Sequence, residues 1–126
     1  MKNLSFYFIL FLLFSFSCDN VYFDERYITN HCDDSIHVKF VHVNTPSREY
    51  NIAPHTSYMY SSGDQIGTHP KYYIRKSIYE NIIVTKKGVV SKIDYVNPDK
   101  WIFEEVEKKN RYKVYLVIKP EDFENE

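Results

Sequence analysis

Alternation of apolar and polar side chains along residues 36–43 is the feature that most constrains the fold. In this segment, which reads IHVKFVHV, Ile36, Val38 and Phe40 fall on one face of an extended chain. Successive side chains of a β-strand point to opposite faces. The period of two therefore predicts a strand with one buried face.

Short apolar segments separated by turn residues continue this pattern along the chain. Further strands are predicted at 22–29, 49–53, 56–61, 81–85, 89–95, 101–106 and 111–118. The last four form two hairpins around turn segments, and apolar residues on both faces of 111–118 indicate a central strand. Residues 70–80 fit a helical turn and a strand equally well. These segments predict an all-β fold, an antiparallel β-sandwich of about seven strands, for which an immunoglobulin-like topology is one candidate.

The first seventeen residues predict a signal peptide that is cleaved from the domain. Lys2 supplies a positively charged start, and residues 4–14 form an apolar run that only Ser5 interrupts. As a helix this run rises roughly 16 Å, about half of a ~30 Å hydrocarbon core, which suits a signal peptide better than a membrane span. The predicted organisation is a signal peptide at 1–17, a tether at 18–26 and a β-sandwich domain at 27–126.

Cys18 follows the segment Ser15-Phe16-Ser17, at the place where the bacterial lipoprotein pathway cleaves and acylates a cysteine. The position predicts lipidation of Cys18 and a membrane contact through its acyl chains. We therefore expect a protein of the cell envelope, with the outer membrane favoured over the inner. Alternatively, ordinary signal peptidase cuts after Ser17 and releases a soluble secreted protein with a Cys18–Cys32 disulfide.

Several segments together resemble small lipoproteins of gut and oral Bacteroidetes whose role is unknown. They are the signal peptide with its relaxed lipobox before Cys18, Ile28-Thr29-Asn30 before a turn, residues 97–101 (NPDKW) and residues 115–122 (YLVIKPED). The resemblance implies a lipid-anchored β-sandwich. It brings no functional residues with it.

Composition and spacing argue against several classes of function. The chain carries a net charge of −1, so nothing indicates a nucleic-acid partner. Three glycines leave no phosphate-binding loop, and no cofactor is predicted. His37 and His42 lie on opposite faces of one strand, so no metal site is predicted. Since no catalytic motif is present, a non-enzymatic module is favoured, and the alternative is a small envelope hydrolase or inhibitor.

Tyrosines provide the candidate binding surface. Tyr58, Tyr60, Tyr72 and Tyr73 are predicted to contact a protein partner or the sugar rings of a glycan. Trp101 is a further aromatic candidate, although its place after the Asn97-Pro98 turn favours a role as a core side chain. Residues 62–73 are predicted to form a loop, and loops on a rigid scaffold often carry function.

Overall fold

The computed structural model describes residues 21–75, 78–106 and 110–124, so the predicted signal peptide and Cys18 lie outside the described residues. Within these ranges the chain forms eight β-strands and three short 3₁₀ turns. The strands are β1 (Val21–Asn30), β2 (Ile36–His42), β3 (Arg48–Ile52), β4 (Ser57–Ile66), β5 (Tyr79–Lys86), β6 (Val89–Val90), β7 (Trp101–Glu105) and β8 (Arg111–Ile118). Each 3₁₀ turn begins at a proline: Pro70–Tyr73, Pro98–Lys100 and Pro120–Phe123.

The strands form two four-stranded sheets. One sheet has the order β4-β1-β8-β7 and the other the order β3-β2-β5-β6. In the described part, β1 and β8 are parallel and the other neighbours are antiparallel. The all-β sandwich is therefore confirmed. The immunoglobulin-like topology is not, because β1 and β2 lie in different sheets, whereas the first two strands of an immunoglobulin constant domain share one.

Alternating side chains of β2 and β8 form the centre of the core. Ile36, Val38 and Phe40 of β2 are each at most 1% exposed, which confirms the face predicted for this strand. β8 lies between β1 and β7, and its residues Leu116 and Ile118 are fully buried. Burial of each such side chain contributes about 1.5–3 kcal/mol to folding. The central position predicted for the last strand is thus confirmed.

Strands β1 and β4 extend beyond the limits predicted for them. β1 begins at Val21, so residues 21–26 belong to the sheet and not to the tether predicted at 18–26. β4 continues to Ile66 through residues that were predicted to be a loop. The two strands support each other, because their antiparallel pairing runs from Thr29 opposite Ser57 to Val21 opposite Ile66. An edge strand such as β4 tolerates polar residues on its exposed side.

Two other segments also differ from the prediction. Residues 70–80 were predicted to be either a helical turn or a strand. The segment begins with the 3₁₀ turn Pro70–Tyr73 and ends in β5, which starts at Tyr79, so each alternative describes one end of it. The strand predicted at 89–95 is limited to two residues, β6. The chain leaves the sheet because the Ser91 side chain accepts from the backbone N–H of Ile93 and donates to the carbonyl of Asp122.

Asn30 joins the two sheets at one end of the sandwich. It is fully buried, and its amide nitrogen donates to the carbonyls of Asp34 at 2.9 Å and of Ile52 and Ala53, both at 3.2 Å. Its side-chain oxygen accepts from the backbone N–H of Cys32 at 2.8 Å. This single side chain therefore satisfies backbone groups that would otherwise be buried without partners.

Replacement of Asn30 tests this role. We expect Asn30→Ala to lower the free energy of unfolding by about 3 kcal/mol, because several buried backbone groups lose a partner at once. Urea denaturation followed by tryptophan fluorescence measures the change. The control Asn51→Ala removes an exposed amide from β3 and is expected to change stability by less than about 0.5 kcal/mol. Equal effects of the two substitutions would contradict the account.

Candidate functional site

Two of the four predicted tyrosines lie together at the open edge of the sandwich, where β3 and β4 are the outer strands of the two sheets. Tyr58 and Tyr60 both contact Tyr50 of β3, with ring centroids 5.8 and 5.7 Å apart. Tyr58 is 49% exposed, whereas Tyr60 is half-buried between the sheets. Together the three rings form an aromatic wall that leads from the surface towards the interior.

The other two predicted tyrosines follow Pro70 in the 3₁₀ turn. Tyr72 is 61% exposed and its ring packs edge-on against His69, at 6.4 Å between centroids. Tyr73 is half-buried, and the guanidinium of Arg26 lies 5.8 Å from the centre of its ring. Tyr73 therefore belongs with the edge of the sandwich, and Tyr72 contacts a separate group of rings.

Trp101 belongs to the core. It is 5% exposed, and its indole N–H donates to the carbonyl of Tyr95 at 2.7 Å. The lipidation site predicted at Cys18 lies outside the described residues. Cys32 is fully buried, and burial raises the pKa of its thiol. A raised thiol pKa keeps Cys32 protonated and unreactive.

A cavity of about 70 Å³ lies between the two sheets beside the aromatic wall, and we call it the edge cavity. It is lined by Arg26, Phe40, His42, Arg48, Tyr50, Tyr60, Ser61 and Tyr79. These residues come from five strands, β1 to β5. Aromatic rings and cationic side chains dominate the lining, and it contains no carboxylate among the residues that the structure describes.

A β-bulge in β4 brings both Tyr60 and the next residue, Ser61, to the edge cavity. The pairing register between β1 and β4 changes between Arg26 and Tyr27, which leaves Tyr60 as an additional residue on β4. The ring of Tyr60 stacks on Phe40, with centroids 4.9 Å apart and an angle of 25° between the planes. A bulge commonly redirects a side chain in this way next to a functional site.

A second bulge adjoins the same cavity from the opposite sheet. The register between β2 and β5 changes between Val41 and His42, which leaves Glu80 as an additional residue on β5. His42 then pairs with Tyr79, and the two rings lie 5.1 Å apart. In the described strands, the two interruptions of regular pairing thus both flank the edge cavity.

Arg26 brings a buried positive charge to the cavity wall. Its Nε donates to Oδ2 of Asp24 at 2.6 Å, and the two side chains are 9% and 4% exposed. Nη1 donates to the hydroxyl of Tyr79 at 3.3 Å. The guanidinium also lies beside the hydroxyl of Tyr60, where it opposes the rise in the pKa of that group. Since arginine keeps its charge at every accessible pH, the guanidinium is a permanent donor group in the cavity wall.

Two polar atoms in the cavity wall are buried without a hydrogen bond. They are Nδ1 of His42 and the hydroxyl of Tyr60, and among residues 21–75, 78–106 and 110–124 no other buried side-chain nitrogen or oxygen lacks a partner. Burial raises the pKa of Tyr60 well above its usual value, so the hydroxyl stays protonated. Native proteins satisfy nearly all buried polar groups. Two unpaired atoms in one small cavity therefore indicate a place for a polar ligand.

Arg48 completes the cationic side of the cavity. It is exposed on β3, and it forms no ion pair with a carboxylate in the part of the chain that the structure describes. Arginine N–H groups form strong, charge-assisted hydrogen bonds with oxyanions. The arrangement suits recognition of an anionic group. For His42 it supplies no carboxylate neighbour that would orient the ring as a general base.

A larger depression of about 370 Å³ lies outside the sandwich beside Phe23 and Arg111. It is an open groove, and Glu25 and Asp64 in its wall offset the charge of Arg111. None of its described side chains has a buried polar atom without a partner. The edge cavity is therefore the better candidate.

The histidines are dispersed over the fold. Nε2 of His37 lies 3.5 Å from a carboxylate oxygen of Glu49 and Nε2 of His55 lies 2.7 Å from one of Asp33, whereas His42 lines the edge cavity. Within the described residues, no three potential metal ligands of the His, Cys, Asp or Glu type come together. The same part of the chain contains no helix long and apolar enough to cross a membrane.

Comparisons with protein-family models, with curated protein sequences and with solved structures found no match to this chain. The function of the edge cavity is therefore argued from its own geometry and chemistry.

The sequence pattern predicted Tyr60 as a residue of the binding surface, but it did not predict that polar residues would surround it. One signal was present: Asp24 and Arg26 precede Ile28 at intervals of two, so a strand that buries Ile28 also turns these two charges inward. His42 carried the same signal, because it follows Ile36, Val38 and Phe40 at an interval of two. Arg48 carried none, because strand pairing alone brings it to the cavity.

The unpaired hydroxyl of Tyr60 has a measurable consequence for stability. We expect Tyr60→Phe to raise the free energy of unfolding of the ligand-free protein by about 1 kcal/mol, because it removes a buried polar group without a partner. Tyr58→Phe is the matched control on the same strand; its half-exposed hydroxyl predicts a change within about 0.5 kcal/mol. A loss of stability in Tyr60→Phe, measured by urea denaturation, would refute the interpretation.

Proposed function

We propose that this protein is a lipid-anchored, non-catalytic binding module of the cell envelope, and that the edge cavity is its ligand site. The proposal of a binding site rests on one observation. Two buried polar atoms without a hydrogen bond, one on His42 and one on Tyr60, belong to residues that line the same cavity. A cavity lined by rings and a few convergent polar groups is the usual form of a small ligand site.

The sequence supports the anchor. A short apolar segment after Lys2 ends at Ser15-Phe16-Ser17, directly before Cys18. Diacylation of the Cys18 thiol and acylation of its new amine supply two or three acyl chains, which hold a protein far more firmly than the affinity of about 10⁴ M⁻¹ given by one myristoyl chain. We propose the outer membrane as the more favoured of the two bacterial membranes.

A binding role is favoured over a hydrolase by the chemistry of the cavity wall. Hydrolysis through an activated nucleophile requires a base that a third group orients. His42 has Tyr79 as its neighbour, the described lining of the cavity contains no carboxylate, and the carboxylate of Asp24 is engaged by Arg26. Cations and rings without an acid–base pair are suited to holding a ligand.

Metabolic lipid labelling tests the anchor. In a bacterial host, the wild-type protein is expected to incorporate labelled palmitate and to enter the detergent phase of Triton X-114, whereas Cys18→Ser is expected to lose both properties. Cys32→Ala is the matched control: it removes the other cysteine and is expected to keep the label. A label that survives Cys18→Ser would end the anchor proposal, as would a water-soluble wild-type protein with a Cys18–Cys32 disulfide.

Nuclear magnetic resonance tests the binding site with a panel of chemically different compounds. The ¹⁵N-labelled protein is titrated with neutral oligosaccharides, acidic oligosaccharides and short peptides. At least one class is expected to shift the amide signals of His42 and Tyr60. Shifts confined to the groove around Phe23 and Arg111, or no shifts with any compound, would contradict the proposed site.

A further inference from the structure

We infer that the edge cavity recognises an acidic glycan, whose sugar carboxylate enters the cavity while the sugar ring lies on the tyrosines outside it. This inference rests on the proposed function, because it names the ligand class of the same site. It follows from the charge of the cavity, from the donors in its wall, from its size, and from the rings at its edge.

The charge of the lining favours an anion. Arg26 and Arg48 both line the cavity, and the Asp24 carboxylate that balances Arg26 is not part of the described lining. Asp24 largely offsets the charge of Arg26, so the uncompensated charge is that of Arg48, which is unfavourable for a cationic ligand. An anionic group gains attraction from Arg48 and can also accept a hydrogen bond from Arg26.

The hydrogen-bonding groups in the wall are donors that need an acceptor. Nη2 of Arg26 and the hydroxyl of Tyr60 each have a hydrogen to donate, and Nδ1 of His42 donates in one of its two neutral tautomers. An ionised carboxylate only accepts hydrogen bonds, and it can accept about four. It can therefore accept from more of these groups than a neutral hydroxyl, which has two lone pairs.

The cavity is sized for the carboxylate alone. Its volume of about 70 Å³ accommodates a group of a few heavy atoms, given that one water molecule takes about 30 Å³ in the liquid. The rest of the ligand must stay outside. At this edge Tyr58, 49% exposed, lies 5.8 Å from Tyr50 with an angle of 45° between the rings. The half-exposed Tyr58 ring offers a flat apolar surface beside the cavity, which suits the apolar face of a sugar ring.

Calorimetry with a matched ligand pair tests the inference. The probes are trigalacturonate and its methyl ester, which keep the same sugar rings and differ in the charge of their carboxyl groups. At pH 7 the acid is expected to bind the purified wild-type protein at least about tenfold more tightly than the ester, because charge-assisted hydrogen bonds are lost on esterification.

Substitutions then test whether the ligand carboxylate binds near Arg48 and whether the sugar ring contacts Tyr58. Arg48→Gln is expected to weaken trigalacturonate binding about tenfold. Arg111→Gln is the matched control; its guanidinium lies over Phe23, 5.3 Å from the ring centre, outside the edge cavity, and it is expected to leave the affinity unchanged. Tyr58→Ala is expected to weaken binding several-fold, since ring stacking supplies part of the affinity.

Three results would overturn the inference, and each has a different meaning for the proposed function. If the ester binds as tightly as the acid and shifts the signals of His42 and Tyr60, the cavity is a site for neutral sugars. If a triglutamate peptide binds more tightly than trigalacturonate, the partner is an acidic protein segment. In both cases the binding module stands and the acidic glycan is wrong. If none of the three probes shifts the amide signals of His42 or Tyr60, the inference is wrong. If none of the compounds in the NMR panel shifts these signals either, the proposed site is wrong as well.

Discussion

The buried guanidinium of Arg26 is the constraint on which the rest of this end of the sandwich depends. Transfer of a charge from water into a protein interior costs several kcal/mol unless the charge is paired and hydrogen-bonded. Asp24 and Tyr79 provide partners from the same sheet and from the opposite one. The side chains around the guanidinium must therefore include hydrogen-bonding groups. The interior therefore changes along β1, from apolar at Ile28 to polar at Arg26, and the edge cavity lies at the polar end.

The bulges and the aromatic rings explain why this cavity remains open at the edge. Each bulge interrupts a regular ladder of backbone hydrogen bonds, so it weakens the sheet locally. In exchange, one bulge places the Tyr60 ring on Phe40 and the other sets His42 against Tyr79. Among the strands that the structure describes, β3 and β4 have no further neighbour in their sheets, and the edge cavity lies between these two outer strands.

Local patterns predicted the strands, and they could not predict how the strands meet. The alternation of Ile36, Val38 and Phe40 defined β2 and its buried face, because burial of one face is a local property of a strand. The extension of β4 to Ile66 was missed, since polar residues at an edge strand resemble a loop in sequence. The strand predicted at 89–95 was too long for a related reason. The hydrogen bonds by which Ser91 takes the chain out of the sheet involve Asp122, which is distant in sequence.

The candidate site was predictable only in part for the same reason. Tyr60 stood out as an aromatic residue in a strand. Its spacing from Tyr58 puts the two rings on one face of β4, but the bulge opposite Arg26, which brings Ser61 to the same cavity, has no signature in a single sequence. Arg48 and His42 reach the cavity from two strands through the packing of the sheets. The polar character of the site is thus a property of the folded chain.

The central claim is that the Arg26–Asp24 pair contributes to ligand binding and not to the stability of the fold. A double-mutant cycle on this buried ion pair tests the claim most directly. Removal of one partner, in Arg26→Met or in Asp24→Leu, is predicted to cost about 3–5 kcal/mol. The double variant is predicted to regain at least the stability of the wild type, as apolar replacement of buried pairs often does, and to lose binding of trigalacturonate. A double variant that is far less stable than the wild type, or that still binds the acid, would contradict the account.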